Sequence, residues 1–193
     1  MNALTEMLAQ QLTGGAISQI SSKIGADHCT TSRAVSLAVP LLISALARNA
    51  STDSGASALN QAIAKDHDGS VLDDVQGFIA NSETANGAGI LGHVFGEQRN
   101  SIENGLAQTT GLDPGSAGKL LETVAPLVLG AVGKTQQQQG LDSNGLSAFL
   151  ASQTQQAHAS APDVMGMLGS LLDSNKDGSV LDDVGRLAGK LFR

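Results

Sequence analysis

The chain lacks large aromatic side chains: it has no Trp, no Tyr and only 4 Phe among 193 residues. Its interior must therefore be filled by Leu, Ile, Val and Ala, and the 23 Gly allow helices to approach one another closely. A single cysteine, Cys29, excludes an internal disulfide bond. Because a free cysteine is most often a small apolar core residue, Cys29 is predicted to be buried.

Basic residues are also scarce, and the formal net charge is −7. An acidic surface repels phosphate backbones and anionic lipid, which argues against nucleic acid and membrane surfaces as partners and suits a cation. The longest apolar run, Ala34 to Ala47, contains Pro40 and falls short of the roughly 20 residues that cross a bilayer. The sequence predicts a buried core helix there, no membrane span, no signal peptide and a cytoplasmic location.

One octapeptide, Asp-Gly-Ser-Val-Leu-Asp-Asp-Val, occurs twice, at Asp68–Val75 and at Asp177–Val184. The duplication extends further, because Asp27 aligns with Asp113 and the match continues without a gap to the next pair of prolines. Two repeats are too few for a solenoid, so we expect a single globule with internal pseudo-symmetry.

Apolar residues recur at helical spacing, and no segment shows sustained alternation of period two. The predicted fold is all-α, with two pseudo-equivalent helical repeats that pack in one globule. The first repeat covers residues 1–80 and the second covers residues 81–193, and each ends in an Asp-Gly loop that leads into a helix. Gly25 and Gly111 are predicted stops, and Asp113 is a predicted N-cap.

Pro40 and Pro126 lie at equivalent places inside apolar helical patterns. Each removes a backbone donor and is expected to kink or break its helix. One interpretation is a hinge or a break that faces a ligand. The other, which the sequence favours, is a bend that wraps the helix round the core.

Residues before the second octapeptide complete the first half of an EF-hand-type calcium loop. Asp173, Asn175 and Asp177 occupy its first, third and fifth positions, and a glycine follows at the sixth. The twelfth position is Val184, which cannot ligate, so a shortened loop must close on an earlier carboxylate. The candidate ligands of this Ca²⁺ site are Asp173, Asn175, Asp177, the carbonyl of Ser179, and Asp183 or else Asp182.

A metal-free alternative explains the same residues. Each octapeptide contains a Ser-x-x-Asp helix start, at Ser70–Asp73 and at Ser179–Asp182. In such a start the serine side-chain oxygen accepts a hydrogen bond from the backbone amide three residues later. The first loop is also the weaker calcium candidate, because Ala64 stands at its first position. On this alternative both loops are only helix caps.

No other constellation predicts chemistry. The four histidines lack ligand spacing, and His67 is expected to be exposed to solvent. Gly87–Gly92 has the form Gly-x-Gly-x-x-Gly, but no predicted strand precedes it, so a dinucleotide site is not indicated. No nucleophile and base form a recognisable set, and we therefore predict no enzyme activity.

Several motifs carry a family resemblance: Gly92–Gly96, Thr110–Leu112, Leu120–Leu121, Ala125–Gly130 and the Asp-Gly-Ser-Val-Leu-Asp-Asp ending. In these motifs the chain resembles the bacterial domain of unknown function 937 family (YidB-like proteins). The resemblance implies a small, all-helical bacterial protein. It implies no established activity and no assigned catalytic residue.

The favoured hypothesis is a non-catalytic helical module with an EF-hand-like calcium loop near its C-terminus. Its expected partners are a calcium ion and either a protein partner or further copies of the chain. The alternatives are a metal-free structural or self-assembling protein whose Asp-Gly-Ser loops are helix caps, and an enzyme whose site the sequence does not reveal. A polar pocket would favour the enzyme, and a large apolar patch or a symmetric dimer would favour self-assembly.

The calcium hypothesis predicts metal-dependent stability. Calcium at about 100 times its dissociation constant should add about 2.7 kcal/mol to the free energy of unfolding. Asp177→Ala should abolish this gain because it removes the fifth ligand, and Asp68→Ala should matter less. Thermal melting of metal-stripped protein with and without calcium measures both effects. The capping alternative predicts no response to calcium and a loss of about 1 kcal/mol in Ser179→Ala.

Overall fold

The computed structural model describes residues 3–81, 86–160 and 166, and within these ranges every regular element is helical. The predicted all-α class is therefore confirmed. The helices are α1 (Ala3–Gln11), α2 (Gly14–Ile24), α3 (His28–Asn49), α4 (Asp53–Asp66), α5 (Val75–Ala80), α6 (Gly87–Phe95), α7 (Arg99–Thr110), α8 (Pro114–Gln139) and α9 (Ser143–Ser160). Short 3-10 turns, Ser70–Leu72 and Gly96–Gln98, precede α5 and α7.

A left-handed glycine precedes each of the two long helices, α3 and α8. Gly25 ends α2 with φ of 71°, and Gly111 ends α7 with φ of 84°. Glycine has no Cβ to clash in this region, and the turned amide can donate back to the helix. Those amides bond the carbonyls of Ser21 and Ala107. The predicted stops at both glycines are confirmed.

Aspartates cap both long helices in the same way. Asp27 accepts from the amide of Thr30 at 3.0 Å, and Asp113 accepts from the amide of Ser116 at 3.0 Å. Bonds from the Thr30 and Ser116 side chains, with those from the amides, lower the pKa of both carboxyl groups. The prediction of Asp113 as N-cap is confirmed, with Pro114 at the first helical position.

Neither internal proline breaks its helix. The 22 residues of α3 run through Pro40, and the 26 residues of α8 run through Pro126. An interior proline costs about 3 kcal/mol through its lost donor and its ring. Around Pro126 that cost is offset by packing, because Ala125 and Leu127 on either side are essentially inaccessible to solvent.

The centre of the core is formed by α3 and α8, which contact each other and most of the other helices. Its side chains are aliphatic, with Phe95 the one aromatic among the fully buried residues of the described part. Cys29 was predicted to lie in this core, but it is exposed. The reason is its position in the first turn of α3, directly after the cap at Asp27, where the helix has not yet entered the interior.

One helix of the described part, α3, is long and apolar enough to cross a membrane by length and composition. Its most apolar window has a mean hydropathy of 1.5, and 56% of that window is buried inside the protein. Apart from Thr31, the buried residues of α3 lie within the run Ala34–Ala47, and α3 packs against the surrounding helices. These properties are those expected of the core helix that the sequence predicted.

Helix contacts of the first half recur in the second. When α1, α2, α3 and α4 are matched with α6, α7, α8 and α9, each helix contacted by α8 has a counterpart contacted by α3. Thus α8 meets α6, α7, α1, α2 and α4, while α3 meets α1, α2, α6, α7 and α9. The α3–α4 and α6–α7 contacts have no counterpart of similar extent, and the predicted duplication stays a prediction.

Side-chain hydrogen bonds join the halves at matching carbonyl groups. Arg33 of α3 donates from Nη2 to the carbonyl of Thr110 at 3.0 Å, at the end of α7. Ser116 of α8 donates from Oγ to the carbonyl of Ile24 at 2.8 Å, at the end of α2. The last carbonyl groups of a helix have no partner within it, so each long helix caps a helix of the other half.

Candidate functional site

All six predicted calcium ligands, from Asp173 to Asp183, lie outside the residues that the structure describes. The first copy of the octapeptide, Asp68–Val75, lies within them. Its structure shows what the shared sequence does at one of its two places in the chain.

The first octapeptide forms a tight turn that leads into α5. The Oδ1 of Asp68 accepts from the amide of Ser70 at 3.0 Å, and this bond lowers the pKa of the Asp68 carboxyl group. Gly69 follows with φ of 97°, a conformation that a side chain would strain. At the other end, Oδ1 of Asp74 accepts from the amide of Gly77 at 2.9 Å and caps α5.

The cap differs in its residues from the predicted one. The Asp73 amide donates to the backbone carbonyl of Ser70 at 3.0 Å, because the chain closes a 3-10 turn there. The α-helix begins only at Val75, so its N-cap is Asp74. In this copy the capping side chain of α5 is therefore Asp74 instead of Ser70, and an Asp-Gly loop at the end of each repeat stays a prediction.

Glycines let this turn lie backbone to backbone on α8. A Cβ placed on Gly69 would stand 3.1 Å from the carbonyl oxygen of Gly130. A Cβ on Gly130 would overlap Val71 Cγ1, and one on Gly133 would overlap the carbonyl oxygen of His67. We call residues 67–74 the first clasp, and the face of α8 that carries these glycines its seat.

The carboxylates of the first clasp face different partners. Asp68 and Asp74 hold backbone amides, and Asp73 Oδ1 lies 3.4 Å from Lys134 Nζ at an exposed position on α8. Among the described residues, no group of three or more His, Cys, Asp and Glu side chains is arranged to hold a metal ion. In this copy the octapeptide caps α5 and packs against α8.

Beside the first clasp a groove runs between α4 and α6. It comprises two adjoining cavities of about 400 and 620 Å³, and both are lined by Asp66, His67, Asn86 and Ile90. Its other apolar lining residues include Leu46, Leu59, Val94, Pro126 and Leu129, and its rim includes Asn49, Thr52 and His93.

Polar residues of the groove also hold its walls. Asn86 Oδ1 accepts from the amide of Gly89 at 3.2 Å and so caps α6. Asn49 Nδ2 donates to the carbonyl of Val94 at 2.9 Å, which ties the end of α3 to the end of α6. These bonds fix the shape of the groove in the free protein.

His67 stands where the two cavities meet, and it is half-buried, in contrast to the predicted exposed position. Burial lowers the pKa of its imidazole below 6.5, and the negative charge of Asp66 opposes this effect without cancelling it. The ring is therefore neutral at physiological pH and presents an uncharged surface to the groove.

An ion-pair network positions the α6 wall. Arg99 lies 2.6 Å from Glu103 and 2.5 Å from Glu122, and it also donates to the carbonyl of Ala88 at 3.2 Å. Bonds to the carboxylates, first to Glu103, raise the pKa of Arg99. A Cβ on Gly87 would overlap the backbone of Glu122, so the start of α6 lies directly on α8. The Gly-x-Gly-x-x-Gly segment Gly87–Gly92 is thus part of a helix whose start packs closely against α8.

Sequence reasoning missed the groove and the Arg99 network. The spacing of Arg99 and Glu103 by four residues was a usable signal for one of the two ion pairs. Asn86 directly before the glycine string was a usable signal for the N-cap of α6, but its place in the groove depends on distant segments and has no local signal.

The family described as "Bacterial protein of unknown function (DUF937)" matches residues 6–135, which include the first clasp and its seat. No curated protein and no solved structure matches the chain. The matched region begins within α1, continues through most of α8 and stops before the second octapeptide.

Two glycine substitutions should have opposite effects on stability. Gly133→Ala places a Cβ against the His67 carbonyl, and such overpacking typically costs about 1–3 kcal/mol. Gly92→Ala meets nothing within 4 Å on α6 and should stabilise by up to about 1 kcal/mol, because alanine favours helix. Urea denaturation of both variants measures the difference. Equal effects would show that α8 and the clasp are not in close contact.

His67 should make stability depend on pH. As pH falls, the unfolded chain takes up this proton near pH 6.5 while the folded protein, with its lowered pKa, does not. The free energy of unfolding should therefore decrease between about pH 7.5 and about pH 5.5. His67→Gln should flatten this slope, whereas His28→Gln, at an exposed histidine of α3, should keep it. Denaturant titrations at pH values across this range measure the slope. An unchanged slope in His67→Gln would contradict the assignment of the pH dependence to His67.

Proposed function

This chain belongs to the bacterial family of unknown function DUF937, and we propose that it is a non-catalytic helical module that binds a partner protein. The binding surface is the groove between α4 and α6. The occupant that its shape favours is an amphipathic helix. One observation carries this proposal: two adjoining cavities share four lining residues, and the larger one is lined along α4 from Ser54 to Asp66 and along α6 from Gly89 to Val94.

The spacing of the lining residues supports an elongated occupant. On α4 they follow helical spacing along one face, as Ser54, Gly55, Ala58, Leu59, Ala62 and Asp66. On and just before α6 they are Asn86, Gly89, Ile90, His93 and Val94. A channel along the 14 residues of α4 is about 21 Å long at 1.5 Å per residue, which matches about four turns of a partner helix.

Charge indicates the ends of the partner. The lining of the larger cavity includes one carboxylate, Asp66, and no Lys or Arg, and burial lowers the pKa of His67. Asp66 and Asp68 line the cavity at the clasp end, on a chain whose net charge is −7. We therefore propose a partner helix with one apolar face and a basic end that lies beside these two carboxylates.

The arrangement supports binding better than catalysis. A catalytic nucleophile needs a base within hydrogen-bonding distance and free to move a proton. In this groove Asn49, Asn86 and Asp68 are each held by a backbone group of the walls. These hydrogen bonds hold the three side chains in place, which suits contact with a partner better than proton transfer.

Calcium binding at Asp173, Asn175, Asp177, Ser179 and Asp183 or Asp182 is our second candidate function. Residue spacing supports it. The first octapeptide supports the metal-free alternative instead, because its aspartates cap a turn and a helix. The calcium titration described above separates the two.

Replacing either of two α4 alanines by phenylalanine tests the groove. Ala62 lines it and Ala64 does not, although both are exposed on α4. We expect parent protein and Ala64→Phe to enhance the fluorescence of the uncharged probe N-phenyl-1-naphthylamine, and Ala62→Phe to lose this enhancement because its ring fills the channel. Equal probe binding by the two variants, or no binding by the parent, would contradict the proposal.

A further inference from the structure

We propose that the second octapeptide, Asp177–Val184, docks on α3 as the first docks on α8. The protein would then carry two clasps, one on each of its central helices. The seat of the first clasp consists of Pro126, Gly130, Gly133 and Lys134. With the alignment that places Asp27 over Asp113, the corresponding residues of α3 are Pro40, Ser44, Ala47 and Arg48.

The contact between the first clasp and α8 has no counterpart among the described contacts of α3. Each helix of the other half that α8 contacts has a counterpart on α3, as described above. In addition α8 contacts the 3-10 turn Ser70–Leu72 of the first clasp. The counterpart of this contact on α3 would be made by residues 179–181, which carry the same three amino acids.

The side chains of the α3 seat suit the same occupant. Ser44 and Ala47 are small and half-buried, and Ser44 Oγ is buried without a hydrogen-bond partner among the described residues. A docked backbone amide or carbonyl would satisfy this hydroxyl. Arg48 supplies the positive charge that Lys134 supplies on α8, and Asp182 corresponds to Asp73.

One difference separates the two seats. Gly130 and Gly133 admit the first clasp because they lack a Cβ, whereas Ser44 and Ala47 have one. The second clasp must therefore lie farther from its helix than the first, with fewer close contacts. It uses the same carboxylates as the candidate calcium loop, since Asp177 would hold the amide of Ser179 and Asp182 would face Arg48.

Disulfide trapping tests this docking in the full-length chain. A Cβ on Gly130 lies 3.8 Å from Val71 Cβ, which is about the mean Cβ–Cβ distance of a disulfide bond. The pair Gly130→Cys and Val71→Cys is therefore the positive control. The test pair is Ser44→Cys and Val180→Cys, and the negative control pairs Val180→Cys with Ser36→Cys, an exposed position farther along α3. All variants carry Cys29→Ser.

We expect mild oxidation to remove both free thiols of the Ser44 and Val180 pair in native protein, more slowly than in the control pair because the second clasp lies farther from its helix. The thiols should stay free in urea and in the Ser36 pair. Peptide mapping by mass spectrometry identifies the bond. A control pair that closes while the test pair stays open would overturn the proposal. So would equal closure of the Ser36 pair.

Hydrogen exchange provides a second measurement that needs no engineered bond. In the parent, amides of residues 177–184 should be protected, and Ala47→Trp should remove that protection by filling the seat. Ala64→Trp, on the exposed face of α4, should leave it unchanged. Fast exchange of this segment in the parent, or protection that survives Ala47→Trp, would also overturn the proposal.

Discussion

Close backbone contact along α8 is the constraint on which the structure depends. The chain has few aromatic residues, so helices must approach one another until small side chains fill the space between them. Gly130 and Gly133 open α8 to the first clasp, and Gly118 opens it to Glu103. A glycine costs about 1 kcal/mol in a helix. Fully burying a leucine such as Leu120 or Leu121 contributes about 1.5–3 kcal/mol, so tight packing offsets the cost.

Local signals in the sequence predicted local structure well. The glycine stops, the cap at Asp113 and the buried run of α3 each depend on a few neighbouring residues, and all three are present. An all-helical fold followed from apolar spacing. The helix does not break at Pro126, because burial of the residues on both sides of the proline outweighs the one missing hydrogen bond.

Features that depend on distant segments were not predictable in the same way. His67 looks like a polar loop residue, and it is half-buried because the first clasp lies against α8. Cys29 looks like a core residue, and only the direction in which α3 enters the globule exposes it. Arg99 required Glu122, which lies in a different helix, as its second partner. Each of these outcomes is a tertiary effect without a local sequence pattern.

The octapeptide illustrates how one sequence supports two chemistries. An Asp-Gly turn concentrates carboxylates, and such a cluster suits either backbone amides or a hard cation. In the first copy the amides are in place: Asp68 and Asp74 each accept from a backbone nitrogen. Backbone amides stabilise the charge of such a carboxylate, as a bound cation would otherwise do.

Reciprocal capping between the halves has a consequence for synthesis on the ribosome. A nascent chain that has emerged only as far as α5 holds α3 without α8, and it lacks the donor from Ser116 for the end of α2. At that stage α3 has α1, α2 and α4 beside it, but it lacks α6, α7, α8 and α9, which make most of its contacts. The two halves share one interior, so the apolar surface of α3 that these later helices cover stays open to solvent until α8 and α9 have left the exit tunnel.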